Sequence, residues 1–373
     1  MSKIKIETLT AVHIGSGEVL TEGLDFFKAK DSEGYNVLAV VDAKKLMKII
    51  GPEHVDEWII HIERQRPVTE LVAKYAPKAV VDDYARIIDF GFKKTEKQLK
   101  TFIHDGMGWP YIPGSSIKGA IRTAVLAQLL HGEGQAQINA YLKQNPNYNK
   151  NQAAENDLFG SNPNESVFRF LHVGDARFGG LMTSARRMVN INERKFLDYY
   201  DESKPQLVEV LVPKDESAFD IKLDLEKYEH CKSYVKPLPD CLSSLPELFR
   251  TINNHTKQLL ESEIKYWKKR ENAEQDSSNC IEKYIDKCKD ILSTVEECKD
   301  GESCVLRIGH GSGWRFITGA WTENSDYFEN VIKQARPHNE RYTEYDFPKS
   351  RRVTSGPCSL LGFVRLTITD SKQ

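Results

Sequence analysis

Two glycine-rich segments, residues 15–17 and 309–313, limit the folds that are open to this chain. Each follows a predicted β-strand, at residues 3–14, where apolar and polar residues alternate, and at residues 304–308. Helical patterns are too few between the predicted strands to build a parallel sheet of repeated βαβ units. Neither segment meets the GxGxxG dinucleotide pattern. The sequence therefore predicts an α+β fold rather than a doubly wound nucleotide-binding fold.

The chain length indicates two domains, because 373 residues at roughly 150 per domain give about two. We expect an N-terminal α+β module over residues 1–180, interrupted by a polar helical insertion at about 52–104. We expect a C-terminal module over residues 181–373 that contains two long helices at about 245–298, where apolar residues keep the helical period.

Composition and charge exclude several classes of protein. Hydrophobic residues make up 40% of the chain and charged residues 28%, which supports a buried core and excludes a disordered chain. No apolar run approaches the ~18 residues of a membrane span, so we expect a cytoplasmic protein that does not contact a membrane. The formal net charge of −2 lacks the basic excess that is typical of nucleic-acid-binding proteins. Any site for a polyanion must then be a local patch.

The seven cysteines form no CxxC pair, and their spacing suits no zinc site. We therefore expect no bound metal and no cofactor. We also expect reduced thiols, as is usual in the cytosol. Cys288 keeps the period of the second long helix, which predicts that its thiol lies in the core.

A helix start after the turn at Gly114 is the first candidate for an anion site. Ile117, Ile121 and Val125 recur at four-residue spacing, so this stripe of the helix is predicted to face the core. The P-loop pattern is absent, but the free N–H groups at a helix start attract anions. The predicted RNA-binding residues of this helix are Ser115, Ser116, Lys118 and Arg122. The alternative is a well-capped helix with two solvated cations.

The glycine-rich segments are the second candidate, because glycine lets backbone amides approach phosphates closely. The predicted RNA-binding residues here are His13, Gly15, Ser16 and Gly17 in the first segment and Gly309, Gly311, Gly313 and Trp314 in the second. The alternative for each segment is a tight turn. His13 and His310 lie at these segments, where a histidine is either a hydrogen-bonded turn residue or a general acid or base.

Two basic clusters are the third candidate. They contain Arg186 and Arg187 in one segment and Lys349, Arg351 and Arg352 in a loop near the aromatic residues Tyr342, Tyr345 and Phe347. Aromatic rings that stack on bases, beside cations that neutralise phosphates, suit single-stranded RNA. The alternative for the loop is a flexible charged segment.

Four segments, taken in order, resemble the RAMP superfamily of CRISPR–Cas proteins. The segment Tyr111-Ile-Pro-Gly-Ser-Ser-Ile-Lys-Gly-Ala-Ile-Arg122 resembles the helix start of that family, and His13-Ile-Gly-Ser-Gly17 resembles its glycine motif at a strand end. Val173-Gly-Asp-Ala176 resembles its strand that ends in Asp-Ala, and residues 356–363 resemble its terminal glycine-rich loop. The chain is therefore identified as similar to this superfamily from residue 13 to residue 363.

Residues 209–219 and 306–314 are most similar to the fifth Csm subunits of type III-A effector complexes. The resemblance implies two ferredoxin-like (RRM-type) modules with helical insertions. It implies a subunit that caps the backbone filament at the 3′ end of the CRISPR RNA (crRNA) and supports crRNA maturation and antiviral defence. The implied partners are the crRNA, neighbouring Csm backbone subunits and recruited host nucleases. The resemblance also implies that RNA is recognised by the residues that match the family, which are residues 15–17, Lys118, Arg122 and residues 309–314.

One aspartate bears on catalysis. Backbone subunits of such complexes carry, after the first glycine loop, an Asp that promotes cleavage of target RNA, and Asp25 lies in a comparable region. Capping subunits are not generally the ones that cleave, so we interpret Asp25 as a turn residue. The leading hypothesis is a non-enzymatic RNA-binding subunit. The alternatives are a RAMP-type, metal-independent endoribonuclease that uses His13 or His310, and the sister subunit of a type III-B complex.

Overall fold

A computed structural model describes residues 1–92, 94–132, 135–144, 153–180, 183–193, 197–271, 273–274, 276–316, 320–323, 325–335 and 347–369. The strands formed by these residues are β1 (Ser2–Thr8), β2 (Gly15–Thr21), β3 (Phe26–Lys30), β4 (Asn36–Val41), β5 (Ala85–Phe90), β6 (Gln98–Phe102), β7 (Tyr111–Ile112), β8 (Leu171–Val173), β9 (Ala176–Arg177), β10 (Ser184–Asn192), β11 (Tyr200–Val210), β12 (Glu216–Leu223), β13 (Ser303–Arg307), β14 (Ser350–Thr354) and β15 (Phe363–Thr369).

The helices formed by the same residues are α1 (Ala43–Ile50), α2 (Val55–Glu63), α3 (Val68–Tyr75), α4 (Gly114–Gly132), α5 (Gln135–Gln144), α6 (Ala153–Phe159), α7 (Leu225–Cys231), α8 (Leu245–Lys268), α9 (Cys280–Glu296) and α10 (Phe328–Ala335). The two long helices predicted at about 245–298 are α8 and α9. Among the described helices, none has the length and apolar character needed to cross a lipid bilayer.

The first sheet is five-stranded and antiparallel, in the order β13-β15-β1-β12-β8. β1 forms because Ile4 and Ile6 alternate with polar residues, so that one face of the strand is buried. α4 packs into the same core through Ile117, Ile121 and Val125, which confirms that this stripe faces inward. The first core therefore lies between this sheet and α4.

The second sheet has eight strands of mixed direction. Its order is β2-β6-β11-β10-β5-β4-β3, and β14 pairs with β10 beside this path. The β10–β5 and β11–β6 pairings are parallel. α1 and α3 cover β4 and β5 through Leu46, Leu71 and Val72, which form a small core with Ala39 and Ala85. The architecture is α+β, as the sequence predicts.

Strands from both sides of residue 180 share each sheet, which differs from the predicted division into two modules. In the first sheet, β12, β13 and β15 lie with β1 and β8. In the second sheet, β10, β11 and β14 lie with the strands β2, β3, β4, β5 and β6. The predicted helical insertion at 52–104 also differs, because it contains α2 and α3 but ends in β5 and β6. These two short strands are stabilised by partners far along the chain, β10 and β11, and a local pattern does not reveal such partners.

Residues 9–14 pass from the first sheet to the second, and their backbone groups are bonded on both sides. Val12 and Leu211 exchange two N–H···O bonds of 3.0 and 2.9 Å. The N–H of His310 donates to the carbonyl oxygen of His13 at 2.9 Å. Because a buried backbone group without a partner is costly, this crossing fixes the two sheets against each other.

A second core surrounds Glu263 of α8, whose side chain is fully buried. Its carboxylate accepts hydrogen bonds from Arg351 at 2.5 and 2.7 Å, from Arg315 at 2.7 Å and from the Tyr284 hydroxyl at 2.9 Å. Burial by itself would raise the pKa of Glu263, but the charges and hydrogen bonds of Arg351 and Arg315 lower it to about 2. The carboxylate is therefore ionised in the core and holds α8, α9, β14 and the segment at Arg315 together.

Cys280 and Cys358 form a disulfide that joins the start of α9 to the loop before β15. The expectation that all thiols are reduced is therefore wrong for this pair. The two cysteines are 78 residues apart in the sequence, so their contact depends on tertiary packing alone. Cys288 lies in the core as predicted, and burial raises the pKa of its thiol.

We expect Glu263→Gln to lower the free energy of unfolding by about 3–5 kcal/mol, because glutamine leaves two guanidinium groups in the core without a carboxylate. Urea unfolding at pH 7 measures this loss. Because the folded pKa of about 2 lies below the ordinary value of 4.5, the stabilisation is full above about pH 4.5. It disappears as the pH falls towards 2, and the variant should lack this part of the acid sensitivity.

The matched control for this variant is Glu261→Gln, an exposed carboxylate on the same helix. This change should alter the free energy of unfolding by less than about 0.5 kcal/mol. Equal stability of Glu263→Gln, Glu261→Gln and the unchanged protein would contradict the role given to Glu263.

Candidate nucleic-acid interface

The two glycine-rich segments meet in the structure, although they lie far apart in the sequence. The imidazole rings of His13 and His310 stand edge to face, with their centroids 5.8 Å apart. Gly309 has a φ of +77°, and a Cβ at this position would lie 2.5 Å from the carbonyl oxygen of His13. The close approach therefore requires glycine at position 309.

His13 is buried, with 2% of its surface exposed. Its Nδ1 lies 2.6 Å from the carbonyl oxygen of Glu209, which can only accept, so Nδ1 carries the ring proton. Burial lowers the pKa of His13 to about 4, so the ring is neutral at pH 7 and its Nε2 carries no proton. Such a ring has no donor for a phosphate. His13 positions the glycine segment, which differs from the predicted RNA contact.

Cationic and polar side chains surround Gln206 of β11, next to the exposed His310. The amide oxygen of Gln206 accepts a hydrogen bond from Lys100 Nζ at 3.1 Å and lies 3.4 Å from His310 Nε2. Arg352 of β14 donates to the carbonyl oxygen of Lys204 at 3.3 Å. Partial desolvation by the surrounding protein, and then the charges of Lys100 and Arg352, lower the pKa of His310. We call Lys100, Gln206, His310 and Arg352 the Gln206 patch.

An acid lies close to one side of the Gln206 patch. Burial lowers the pKa of Arg352, and the charge of Asp201 opposes that shift. The Asp201 carboxylate is buried and accepts hydrogen bonds from the Ser203 N–H at 2.9 Å and from Asn192 at 3.3 Å. Two cations and one acid leave the Gln206 patch locally positive on a chain whose net charge is −2.

β2 lies at one edge of the eight-stranded sheet, next to β6, which carries Lys100. Gly15, Ser16 and Gly17 at its start are exposed, and a bulge interrupts the pairing with β6. Ser16 Oγ lies 2.5 Å from Thr101 Oγ1, and Thr101 directly follows Lys100 in the sequence. Edge strands present backbone N–H groups that no neighbouring strand uses. The glycine-rich edge and the Gln206 patch can therefore offer backbone donors and cations to one polyanion.

The predicted anion site at the start of α4 is partly filled by the protein's own groups. The Asp175 carboxylate accepts the N–H of Gly114 at 2.8 Å. The N–H of Ser116 donates to the carbonyl oxygen of Pro113 at 2.9 Å. Ser115 is exposed and Ser116 is half-buried. Two of the N–H groups that would attract an anion already have partners.

Lys118 and Arg122 also bond within the protein. Lys118 Nζ donates to the carbonyl oxygen of Leu171 at 2.7 Å, and burial, followed by the charge of Arg122, lowers its pKa. Arg122 donates to Glu155 at 2.8 Å, and its guanidinium lies 5.1 Å from the centre of the Phe159 ring. Both cations stabilise the packing of α4. These contacts favour the alternative in which the cations of α4 bond within the protein and do not form an open RNA site.

The predicted basic clusters separate into buried and surface cations. Arg187 is buried and donates to Glu96 and Glu202, each at 2.7 Å. Arg351 is buried in the second core, where its partner is the buried carboxylate of α8. Lys349 is half-buried. Arg187 and Arg351 do not belong to an RNA interface, because a guanidinium bonded to a carboxylate inside the protein cannot also reach a phosphate on the surface.

Trp314 and Phe347 pack on each other, with ring centroids 5.0 Å apart, and Trp314 also lies 5.9 Å from Phe328. Both Trp314 and Phe347 are half-buried. These rings stabilise the segment after the second glycine motif instead of forming an open platform for a base. Tyr342 and Tyr345 lie outside the described residues.

The remaining glycines and Arg186 have unequal surroundings. A Cβ at Gly311 would lie 3.1 Å from the Met188 sulfur, whereas Gly313 faces open space. Arg186 is half-buried, and its guanidinium lies 3.6 Å from the Asp89 carboxylate. Of these three candidates, Gly313 is the one with room for a ligand.

The buried residue Glu209 connects the first glycine segment to the second sheet. Glu209 accepts hydrogen bonds from Arg86 at 2.5 and 3.2 Å, from the N–H of Phe102 at 3.0 Å and from the hydroxyl of Thr183. Burial acts to raise the pKa of Glu209, but Arg86 lowers it below its ordinary value. Since the Glu209 carbonyl also holds His13, this residue connects β11, β6 and the glycine segment.

Sequence patterns gave no sign of Lys100 or Gln206. Each is half-buried, and the neighbouring residues Leu99 and Leu207 are fully buried. The local sequence does not predict that the two strands are adjacent, and their pairing is what brings Lys100 to Gln206.

Asp25 closes a turn. Its carboxylate accepts the N–H of Thr21 at 2.8 Å, and its carbonyl oxygen accepts the N–H of Val41 at 2.8 Å. These bonds agree with its interpretation as a turn residue.

The chain is similar to known proteins in both sequence and fold. A family model described as the RAMP superfamily matches residues 5–316. One chain of a Csm–crRNA–target RNA ternary complex from a type III-A CRISPR–Cas system is 21% identical, with a TM-score of 0.71 over 98% of this chain and 100% of that chain. Csm5 of T. onnurineus is 19% identical, with a TM-score of 0.63 over 96% and 99% of the two chains. No curated protein matches the chain.

We expect the His13 ring to titrate near pH 4 and to keep its proton on Nδ1 above that pH. Because this value lies below the ordinary 6.5, the unfolded chain binds more protons between the two values. The fold should therefore lose stability as the pH falls from about 6.5 towards 4. Two-dimensional ¹H–¹⁵N NMR of the imidazole nitrogens measures the tautomer and the midpoint. A proton on Nε2, or a midpoint at 6.5 or above, would contradict the geometry of His13.

Proposed function

The chain belongs to the RAMP superfamily, and on that premise we propose that it is an RNA-binding structural subunit of a type III-A CRISPR effector complex. The observation that carries the proposal is the position of the exposed residues 15–17 on the edge strand β2, beside β6 and β11, which carry Lys100 and Gln206 of the Gln206 patch. The similarity in fold to one chain of a Csm–crRNA–target RNA complex adds support.

The mode of binding follows from the chemistry of this edge. Backbone N–H groups and the cations Lys100 and Arg352 suit phosphate oxygens, which are the same in every nucleotide. Binding should therefore be largely independent of base sequence and should weaken as salt concentration rises. The net charge of −2 implies weak binding by the isolated subunit. In the complex, neighbouring subunits would supply the rest of the groove.

Within such a complex, the proposed place of the chain is the 3′ end of the crRNA, where it caps the backbone filament in the cytoplasm. The similarity in fold to Csm5 of T. onnurineus over 96% of the chain supports this place. The proposed partners are the crRNA, the adjacent Csm backbone subunits and host nucleases that trim the crRNA. In this proposal the chain supports crRNA maturation without cleaving RNA itself.

The second candidate function is a metal-independent endoribonuclease. The observation in its favour is the 5.8 Å separation of the His13 and His310 rings, since such enzymes use a paired acid and base. The protonation of the two rings weighs against it. Burial is the largest cause that lowers the pKa of each ring, so neither is charged at pH 7 to serve as the acid. We therefore favour the non-enzymatic subunit.

We expect Lys100→Glu combined with Arg352→Glu to reduce the crRNA that co-purifies with the tagged protein from its host, because both cations of the Gln206 patch become acids. For the purified protein and single-stranded RNA, the slope of log K against log salt concentration should shrink by about 0.7 for each phosphate that the variant no longer neutralises. Fluorescence anisotropy at several salt concentrations measures the slope. Mass spectrometry of the co-purified proteins identifies the neighbouring subunits.

The matched control is Lys287→Glu combined with Lys289→Glu, which makes the same change in charge on the exposed side of α9. It should leave the salt slope and the co-purified crRNA unchanged. If the variant in the Gln206 patch also captures normal amounts of crRNA with an unaltered slope, the proposed interface is wrong.

We expect the purified protein to leave CRISPR repeat RNA intact, because neither histidine is a charged imidazolium at pH 7 that could act as the general acid. Denaturing gel electrophoresis of labelled RNA after incubation with a metal chelator measures this. Discrete cleavage that disappears in His13→Ala and in His310→Ala would instead support the endoribonuclease. Cleavage that persists in both variants would point to a contaminating nuclease.

A further inference from the structure

A cavity of about 220 Å³ lies between α4 and α8 and shares no lining residue with the Gln206 patch. One part of its wall is apolar and comes from Ala127, Leu130, Ile138 and Leu259. The polar part of the wall comes from α8, where His255, Gln258 and Ser262 follow at spacings of three and four residues. Residues at these spacings share one face of a helix. The cavity thus has an apolar wall and a row of hydrogen-bonding groups.

His255 is the feature that points to a ligand. It is 8% exposed, and it forms no hydrogen bond with another residue of the described part of the chain. Buried polar side chains nearly always have a hydrogen-bond partner. His255 lines this cavity and a second one of about 10 Å³ beside Arg307, which has room for a single water at most. The larger cavity is therefore where a partner for the ring can be bound.

The lining of the cavity contains one ion pair, Arg315 with Glu323, and two histidines, His131 and His255. Arg315 lines it and donates to Glu263 and to Glu323, each at 2.7 Å. Burial lowers the pKa of His255 to about 4, so this ring is neutral at pH 7. A charged ligand would lose its hydration without gaining a free counter-charge. The chemistry of the cavity therefore favours a neutral ligand that donates and accepts hydrogen bonds.

The size and shape of the cavity restrict the class of ligand further. Drug-sized molecules occupy sites of roughly 300–1,000 Å³, so a cavity of about 220 Å³ suits a smaller group. Trp321, which is 9% exposed, adds an aromatic surface to the apolar wall. Planar heterocycles are bound in this way, with a face on an aromatic or apolar wall and an edge on amide, hydroxyl or imidazole groups. Nucleobases are neutral, planar and of this size.

We propose that the cavity between α4 and α8 binds a single nucleobase, with its edge on His255, Gln258 and Ser262 and its face against the apolar wall. This site is separate from the Gln206 patch and does not depend on the proposed role in an effector complex. The base has two sources, a free nucleoside or a base that leaves the stack of a bound RNA. The chemistry of recognition is the same for both.

The test measures binding of adenosine, guanosine, cytidine and uridine, one at a time, to the full-length protein by saturation-transfer NMR and calorimetry. Toluene, which is planar but has no hydrogen-bonding edge, is the negative probe. At least one nucleoside should bind, and His255→Leu should weaken it about tenfold, the effect of losing roughly 1.4 kcal/mol. Ala127→Phe, which fills the cavity, should abolish binding, and Glu261→Gln on the exposed face of α8 should change nothing.

Several results would overturn the proposal. These are no binding of any nucleoside, binding of toluene in preference to nucleosides, or unchanged nucleoside binding by folded His255→Leu. Circular dichroism and thermal unfolding establish that the variants are folded. If Ala127→Phe does not fold, His255→Leu and its control still decide the outcome.

RNA binding by the same variants then distinguishes the two sources of the base. If the base belongs to a bound RNA, His255→Leu and Ala127→Phe should weaken the binding of single-stranded RNA as well as of nucleosides. If the ligand is a free nucleoside, RNA binding should be unchanged in both variants. Loss of RNA binding in Lys100→Glu/Arg352→Glu with intact nucleoside binding would show that the two sites are independent. If the protein binds nucleosides but no RNA, the proposed RNA-binding function is wrong, whereas the proposed nucleobase site still stands.

Discussion

The structure depends on the close contact of three backbone segments where residues 9–14 cross between the two sheets. Two glycines make this contact possible. A Cβ at Gly309 would lie 2.5 Å from the carbonyl oxygen of His13, and a Cβ at Gly362 would lie 2.2 Å from that of Ile308. A side chain at either position would push the segments apart and leave buried backbone groups without partners. The orientation of one sheet against the other therefore depends on the absence of two side chains.

The candidate interface follows from this crossing. Because the backbone at position 309 touches the backbone at His13, His310 is held beside β11, where its ring lies 3.4 Å from Gln206. β6 and β14 add Lys100 and Arg352 from distant parts of the chain. A chain with a net charge of −2 can in this way present a small positive area next to a glycine-rich edge. Local arrangement of charge, and not the total, decides whether such a surface attracts a polyanion.

Most of the cations that stand out in the sequence have structural roles. Glu263 and Glu209 lie fully buried in two different parts of the fold, and each is ionised because it bonds to arginine, Glu263 to two guanidinium groups and Glu209 to one. Arg351 and Arg86 are the corresponding partners. Removing a buried charge from its partner is costly, so these arginines are not available to a ligand. The cations that remain for RNA are fewer than a count of Lys and Arg suggests.

The sequence by itself determined what depends on neighbouring residues. The spacing of Ile117 and Ile121 identified the inward face of α4, the alternation around Ile4 identified β1, and ordered motifs identified the superfamily. Tertiary structure alone decided the division of strands between the sheets, the Cys280–Cys358 disulfide and the separation of buried from exposed cations. Periodicity reports which side of an element is buried, because that side repeats along the chain. Which residue meets which across the core is a long-range contact, and no single-sequence pattern records it.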